Sequence, residues 1–164
     1  MKTSDEIKLI ALQHLRYQLQ YSLVGTEISL KLNSNNAGDR ADVLAVMPNN
    51  QLLQGEVKVT IADLKNDIRK GVHQKNNRYP TAYFYFIVPE EIEQSARQVI
   101  LDLYPDKGLW VVKRHTKFLF SLIEESIRAA KLNNHKLNNS ELRNMQKGMS
   151  STLCRLYAKV LENP

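Results

Sequence analysis

The stretch Asp39–Lys70, DRADVLAVMPNNQLLQGEVKVTIADLKNDIRK, decides the fold because it holds two strand patterns, a turn and the start of a helix. The apolar runs ADVLAV and LLQGEVKVT read as neighbouring strands, and PNNQ between them has the composition of a turn. Charged residues interrupt both runs: Asp42 lies in the first, and Glu56 and Lys58 lie in the second. Burying a charge is costly unless it is paired, so these three residues are the first functional candidates.

The segment before this stretch predicts a helix and one more strand. Apolar residues recur at spacings of three and four over residues 5–21, which indicates an amphipathic helix with Ser4 or Asp5 as its N-cap. Gly25 is expected to end that region. The alternating segment TEISLKL, residues 26–32, predicts a strand, so the first three strands should form an antiparallel meander.

The segment after it predicts alternating helices and strands. Thr60 and Asp63 resemble a capping box that opens a helix at Ile61. TAYFYFIVP is apolar on both faces, as expected of a central strand, and GLWVVK should be a further strand. A helix is expected between them, over residues 90–103.

The C-terminal part predicts two more helices, Thr116–Leu132 and Ser140–Leu161, joined by an Asn-rich linker. The element order gives an α/β fold with a mixed central sheet flanked by helices and a C-terminal helical tail. We expect residues 1–115 to form the α/β core and residues 116–164 to form a helical extension of the same domain.

Composition narrows the class of protein. The 164 residues are 43% hydrophobic, as in an ordinary globular domain. The single Cys154 excludes an internal disulfide and a Cys-rich zinc site. Since neither a signal peptide nor an apolar run of about 20 residues is recognisable, we expect a cytoplasmic protein without a membrane partner. The net charge of +6 by itself barely favours a polyanionic partner.

The three charged residues suggest a metal site. Alternate residues of a strand share a face, so Glu56 and Lys58 should point the same way, and a suitable register would add Asp42. Two neighbouring carboxylates repel each other unless a cation lies between them, and hard oxygen ligands suit Mg²⁺ or Mn²⁺. Such an ion can activate water for attack on a phosphate, and the ammonium of Lys58 could stabilise the transition state.

A purely structural interpretation stands beside this one, because Glu–Lys pairs on an exposed sheet face are common. Three features favour the functional interpretation. Asp42 lies fourteen residues upstream of Glu56, a basic helix follows directly, and both strands are otherwise too apolar to face solvent.

The pattern RADVLAV…GEVKVTIADLKNDIRK…YFYFIVP resembles the restriction-endonuclease-like superfamily, the PD-(D/E)XK nucleases, and within it small bacterial members associated with DNA repair. The likeness covers about residues 27–89. Ala41 replaces the Pro that often precedes the Asp of this family. Gly71 stands where the small bacterial members usually have an aromatic residue, which leaves the substrate open.

The resemblance implies a restriction-endonuclease-like core with Asp42 and Glu56 as metal ligands, Lys58 as the catalytic lysine and the main-chain carbonyl of Val57 as a further ligand. Many family members also use a Glu of the first helix. Glu6 could fill that role, and so could Glu27 on the first strand.

The functional hypothesis is a Mg²⁺- or Mn²⁺-dependent nuclease acting on nucleic acid, expected to be DNA, in repair, phage biology or defence. The basic segment after the third strand would contact the phosphate backbone through Lys65, Arg69, Lys70, His73, Lys75 and Arg78. Two alternatives remain at this point. One is a non-catalytic nucleic-acid-binding module with the same fold, and the other is an interaction protein that forms a homodimer through its helical tail.

Overall fold

The computed structural model describes residues 2–28, 40–69, 80–114 and 121–162. Its strands are β1 Leu23–Ile28, β2 Ala41–Val46, β3 Leu52–Val57, β4 Thr81–Pro89, β5 Gly108–Arg114 and β6 Ser121–Ile127. Its α-helices are α1 Ser4–Gln13, α2 Ile61–Arg69, α3 Glu93–Leu103 and α4 Asn139–Glu162. Within these ranges, no helix combines the length and the apolar character of a membrane span.

The six strands form one mixed sheet in the order of the chain, β1 to β6. Strands β1, β2 and β3 pair as the antiparallel meander that the sequence predicts. Strand β4 is parallel to both β3 and β5, with α2 and α3 in the two connections. Strand β6 closes the other edge antiparallel to β5. The predicted α/β class with a mixed sheet between helices is therefore confirmed.

Helices cover both faces of the sheet because successive side chains of each strand point to opposite faces. On one face α1 packs against a cluster of strand residues that includes Val43, Ile87 and Trp110. On the other face α4 packs against β1 and the apolar residues of β2, while α2 and α3 cover the even-numbered aromatic residues of β4. Strand β4 is thus buried on both faces, as its continuous apolar run predicts.

The predicted helix Thr116–Leu132 is wrong. The described part of this segment contains strand β6, and residues 128–138 have no regular secondary structure. Pairing with β5 supplies main-chain partners that local helix propensity cannot match. The register shifts between Leu109 and Trp110, which places Trp110 opposite Glu125. Of the two predicted C-terminal helices, the second is confirmed as α4.

Three boundaries near the N-terminus also differ from expectation. The N-cap is Thr3, whose side chain accepts from Glu6 N–H in a capping box. After α1 the chain continues as one π-helical turn, His14–Gln18, rather than as a regular α-helix. Gly25 lies inside β1 and does not end a helix. Residues 29–32 of the predicted first strand lie outside the described residues.

Candidate functional site

Asp42 and Glu56 are neighbours across β2 and β3. The antiparallel register pairs Val43 with Gly55, so one further step places Asp42 opposite Glu56. Directly opposed residues of an antiparallel pair share a face, as the sequence analysis requires. The main chain also fixes the carboxylate of Asp42, because Val57 N–H donates to its Oδ2 atom at 2.9 Å. The two predicted acids therefore meet at one place.

Glu56 is an unusual carboxyl group, because its side chain is only 15% exposed. Burial, followed by the negative charge of Asp42, raises the pKa of Glu56 to about 8. Lys58 and a hydrogen bond from Gln54 Nε2, at 3.2 Å, act in the opposite direction but do not compensate. At neutral pH Glu56 therefore holds a proton unless another cation takes its place.

Lys58 lies one residue beyond β3, and its N–H donates to the carbonyl of Ile87 at 3.0 Å. Its ammonium forms an ion pair with Asp67 on α2 and lies 3.9 Å from Glu56 Oε2. Burial disfavours the charged form of Lys58, but Asp67 and Glu56 outweigh burial and raise its pKa. Lys58 is thus a fixed and permanently charged ammonium group beside Glu56.

Helix α2 positions Asp67 for this ion pair. The hydroxyl of Thr60 accepts from Asp63 N–H at 3.1 Å, which caps the helix where the sequence predicts its start. Asp67 lies one turn after Asp63, where its carboxylate reaches Lys58. The sequence pattern gave no reason to pair Asp67 with Lys58, since this contact depends on how α2 packs against the sheet.

Lys8 is a second ammonium group at the site, and the sequence analysis did not identify it. It projects from α1 and pairs with Glu27 Oε1, while its Nζ atom lies 3.4 Å from Asp42 Oδ1. Burial disfavours its charged form, but the hydrogen bond to Glu27 and the charge of Asp42 outweigh this effect and raise its pKa. The sequence alone does not indicate a role for Lys8, because a single Lys on an amphipathic helix belongs to no recognisable motif.

Glu27 reaches this group through unusual backbone geometry. Its φ angle is 54°, in the left-handed region, and it falls between the paired residues Thr26 and Ile28 of β1. That conformation costs a residue other than glycine about 1–2 kcal/mol. Of the two candidates for a third carboxylate, Glu27 lies at the site. Glu6 instead caps the start of α1 by accepting from Thr3 N–H at 2.6 Å.

The ionic contacts of the site form a row with one gap. Lys8 joins Glu27 to Asp42, and Lys58 joins Glu56 to Asp67. From the β1 edge of the sheet inwards, the order of the row is Glu27, Lys8, Asp42, Glu56, Lys58 and Asp67. Among the described side chains, no ammonium or guanidinium group bridges the two central carboxylates. With every member ionised, four carboxylates face two ammonium groups, a formal charge of −2.

The sequence analysis assigns a hard divalent cation to the two central carboxylates, Asp42 and Glu56. In the described ranges, no three His, Cys, Asp or Glu side chains form a group that could hold a metal ion. The protein side chains of the site would therefore be Asp42 and Glu56 alone, with the carbonyl of Val57 as a main-chain ligand. Mg²⁺ typically binds through one or two carboxylates and keeps several waters, so two acids suffice.

The predicted phosphate-binding segment is described only in part. Lys65 is exposed on α2, the helix that supplies Asp67 to the site. Arg69 is the last residue of α2. The other four predicted residues lie outside the described residues: Lys70, His73, Lys75 and Arg78.

Comparison with known proteins identifies the fold alone. No protein-family model and no curated protein matches the chain. Among solved structures, it is similar to SPO1766, a protein of unknown function from Silicibacter pomeroyi, with a TM-score of 0.62 and 16% sequence identity. The match covers 100% of this chain and 94% of that one. It supports the α/β architecture over its whole length.

Proposed function

We propose that this chain is a metal-dependent nuclease that hydrolyses phosphodiester bonds in DNA and uses Mg²⁺ or Mn²⁺. The observation that carries the proposal is the unbridged pair Asp42 and Glu56 on adjacent strands, flanked on the outer side by Lys58. Binding DNA without chemistry needs no buried carboxylates, which would repel the phosphates. A hydrolase that holds a divalent cation beside a phosphate needs carboxylates such as Asp42 and Glu56 as ligands.

Asp42, Glu56 and the carbonyl of Val57 would hold the divalent cation. When bound, the cation would supply water activation and offset charge on the phosphate. Glu56 would bind it as the deprotonated carboxylate, since burial and the charge of Asp42 make that carboxylate unfavourable without a cation beside it. Asp42 remains oriented by the N–H of Val57, so the two carboxylates keep their relative position.

Lys58 contacts the phosphate. In hydrolysis a bond forms between a water oxygen and phosphorus while that water gives up a proton, the bond from phosphorus to the leaving oxygen breaks, and the leaving oxygen takes up a proton. The ammonium of Lys58 donates hydrogen bonds to the phosphate oxygens on which charge develops. Asp67 and Glu56 keep that ammonium protonated and hold it in place.

The resemblance to PD-(D/E)XK nucleases supports the same assignment, since its motif residues are the ones that meet at the site. It also supports DNA as the substrate, in a setting of repair, phage biology or defence. The exposed Lys65 on α2 lies on the element next to Lys58 and is the described residue of the segment that we assign to the DNA backbone.

The test is cleavage of linear, circular and branched DNA, with RNA in parallel, in Mg²⁺, in Mn²⁺ and in EDTA. We expect DNA cleavage in either metal, none in EDTA, and none for Glu56→Gln. Asp102→Asn is the matched control, since it neutralises an exposed carboxylate on α3 that accepts from Gln98 at 2.8 Å. Retained cleavage in Glu56→Gln would contradict the proposal. Salt-sensitive DNA binding without cleavage would instead support a non-catalytic nucleic-acid-binding module.

A further inference from the structure

A cavity separate from the candidate site lies on the α1 face of the sheet, away from Asp42 and Glu56. Its volume is about 320 Å³, within the range of about 300–1,000 Å³ typical of ligand pockets. Four aromatic side chains line it: Tyr21, Tyr83, Tyr85 and Trp110. Tyr85 stacks on Trp110 with ring centroids 4.4 Å apart. Tyr85 and Trp110 are almost fully buried, so the half-buried rings of Tyr21 and Tyr83 offer the larger accessible aromatic surface.

The π-helical turn after α1 shapes one wall. It begins at His14, whose ring meets the edge of Trp110 at 5.4 Å and lines the cavity. His14 Nδ1 lies within hydrogen-bond distance of Gln18 Oε1, at 2.7 Å, which fixes the ring in this wall. The same turn ends where Tyr21 N–H donates to the carbonyl of Leu15 at 2.9 Å. Single π-helical turns inside α-helices are frequent at functional sites.

Two exposed charged residues give the cavity a polar mouth. Glu125 accepts from the Tyr85 hydroxyl through Oε1 at 2.6 Å, and its Oε2 atom has no hydrogen-bond partner among the described residues. Arg128 lines the cavity three residues later. A carboxylate beside aromatic rings could suit a cation, but the guanidinium of Arg128 opposes one. A purely apolar ligand would leave both charges without partners.

We propose that this cavity binds a nucleotide, with the base against the aromatic rings and its phosphate against Arg128. Aromatic side chains stack on nucleobases, and an arginine fork matches phosphate oxygens. The remaining oxygen of Glu125 accepts from an exocyclic amino group, so adenine, cytosine and guanine fit better than uracil, which has none. The proposal is independent of the nuclease assignment, because none of these residues belongs to that site.

Trp110 provides the readout, because it is the one tryptophan of the sequence and lies in the cavity wall. Its fluorescence would be followed while AMP, adenosine or UMP is titrated into the full chain in EDTA, so that no metal is required. We expect saturable quenching by AMP. Adenosine should bind about tenfold more weakly, since it lacks the charged contact to Arg128. UMP should bind more weakly than AMP.

Matched variants separate this site from general charge effects. Arg128→Ala should weaken AMP binding about tenfold, whereas Arg143→Ala, an exposed arginine on α4, should leave it unchanged. Glu125→Gln keeps an acceptor for Tyr85 and should bind AMP and UMP alike. Glu124→Gln alters the neighbouring carboxylate, which pairs with Lys113 on the opposite face, and should keep the preference for AMP. Circular dichroism confirms folding of each variant.

Two results would overturn the proposal. One is no saturable change in Trp110 fluorescence with AMP, and the other is equal AMP affinity in Arg128→Ala and Arg143→Ala. A single strand of five deoxyadenosines distinguishes the source of the base. Quenching at lower concentration by the strand assigns the site to an unpaired base of nucleic acid, and quenching at lower concentration by AMP assigns it to a free nucleotide. Either result requires the cavity to bind a base.

Discussion

Asp42 lies opposite Glu56 across β2 and β3, and its charge adds to the effect of burial in raising the pKa of Glu56 to about 8. Lys8 engages one of these carboxylates and Lys58 approaches the other, each from the outer side of the pair. The site therefore concentrates negative charge at its centre and holds it between two fixed ammonium groups.

The stability of the metal-free protein should depend on pH through Glu56. The unfolded chain releases this proton near 4.5, whereas the folded protein keeps it up to about 8. The folded state binds more protons between these values, so the free energy of unfolding falls as pH rises, by up to about 1.4 kcal/mol per pH unit for one group.

Glu56→Gln should remove that contribution. Urea unfolding in EDTA between pH 5 and pH 8 should show the variant gaining stability relative to the natural chain as pH rises. The Asp102→Asn control should follow the natural chain throughout. A constant difference between Glu56→Gln and the natural chain over this range would contradict the raised pKa.

Removal of Lys8 should destabilise the fold, because Glu27 and Asp42 would then face each other without their shared ammonium. We expect Lys8→Met to lower the free energy of unfolding at pH 7 by about 1–3 kcal/mol. Adding Glu27→Gln should restore part of the loss, since one of the two unpaired charges is gone. Lys131→Met, at an exposed position, should change stability by less than about 0.5 kcal/mol.

Loss of Lys58 should separate catalysis from metal binding. Lys58→Ala should lower kcat for DNA cleavage by about 10²–10³-fold, because it removes a donor to the developing charge. Manganese affinity should stay within a few-fold of the natural chain, since both carboxylate ligands remain. The Lys58→Ala/Asp67→Asn double variant should be as inactive as Lys58→Ala but more stable than it, because residue 67 then carries no charge. Unaltered cleavage in Lys58→Ala would remove this residue from the mechanism.

Gly108 should be intolerant of substitution because of Tyr85. The two residues are paired across β4 and β5, and a Cβ atom at Gly108 would overlap the Tyr85 ring. We expect Gly108→Ala to lower the free energy of unfolding by about 1–3 kcal/mol and to shift the emission of Trp110, which stacks on that ring. Urea unfolding followed by Trp110 fluorescence measures both. An alanine variant as stable as the natural chain would contradict this packing.

Much of the fold could be predicted where one element carries its own pattern. The doubly apolar run of β4 and the Thr60 cap of α2 depend on nearby residues only, and both are confirmed. Strand β6 could not be predicted, because its pairing with β5 decides the conformation of SLIEESI. Its two Glu residues and three apolar residues fit a helix equally well.

The residues of the candidate site likewise fall into two groups, those that the sequence indicates and those that only tertiary packing brings together. Asp42, Glu56 and Lys58 stand out because charge interrupts apolar strands. Glu27 is only one of two alternatives that the resemblance offers. Lys8 and Asp67 do not stand out, because they come from α1 and α2 and meet the site only after these helices pack. The left-handed backbone of Glu27 is likewise a product of tertiary structure, since no residue type announces it.

The most direct test of the proposed metal site is calorimetric titration of Mn²⁺ into the natural chain, Asp42→Asn, Glu56→Gln and the Asp102→Asn control at pH 7.5. We expect uptake of Mn²⁺ by the natural chain and by the control, and loss of that uptake in both site variants, because each removes one of two carboxylate ligands. Absence of uptake by the natural chain, or equal uptake by all four proteins, would contradict it.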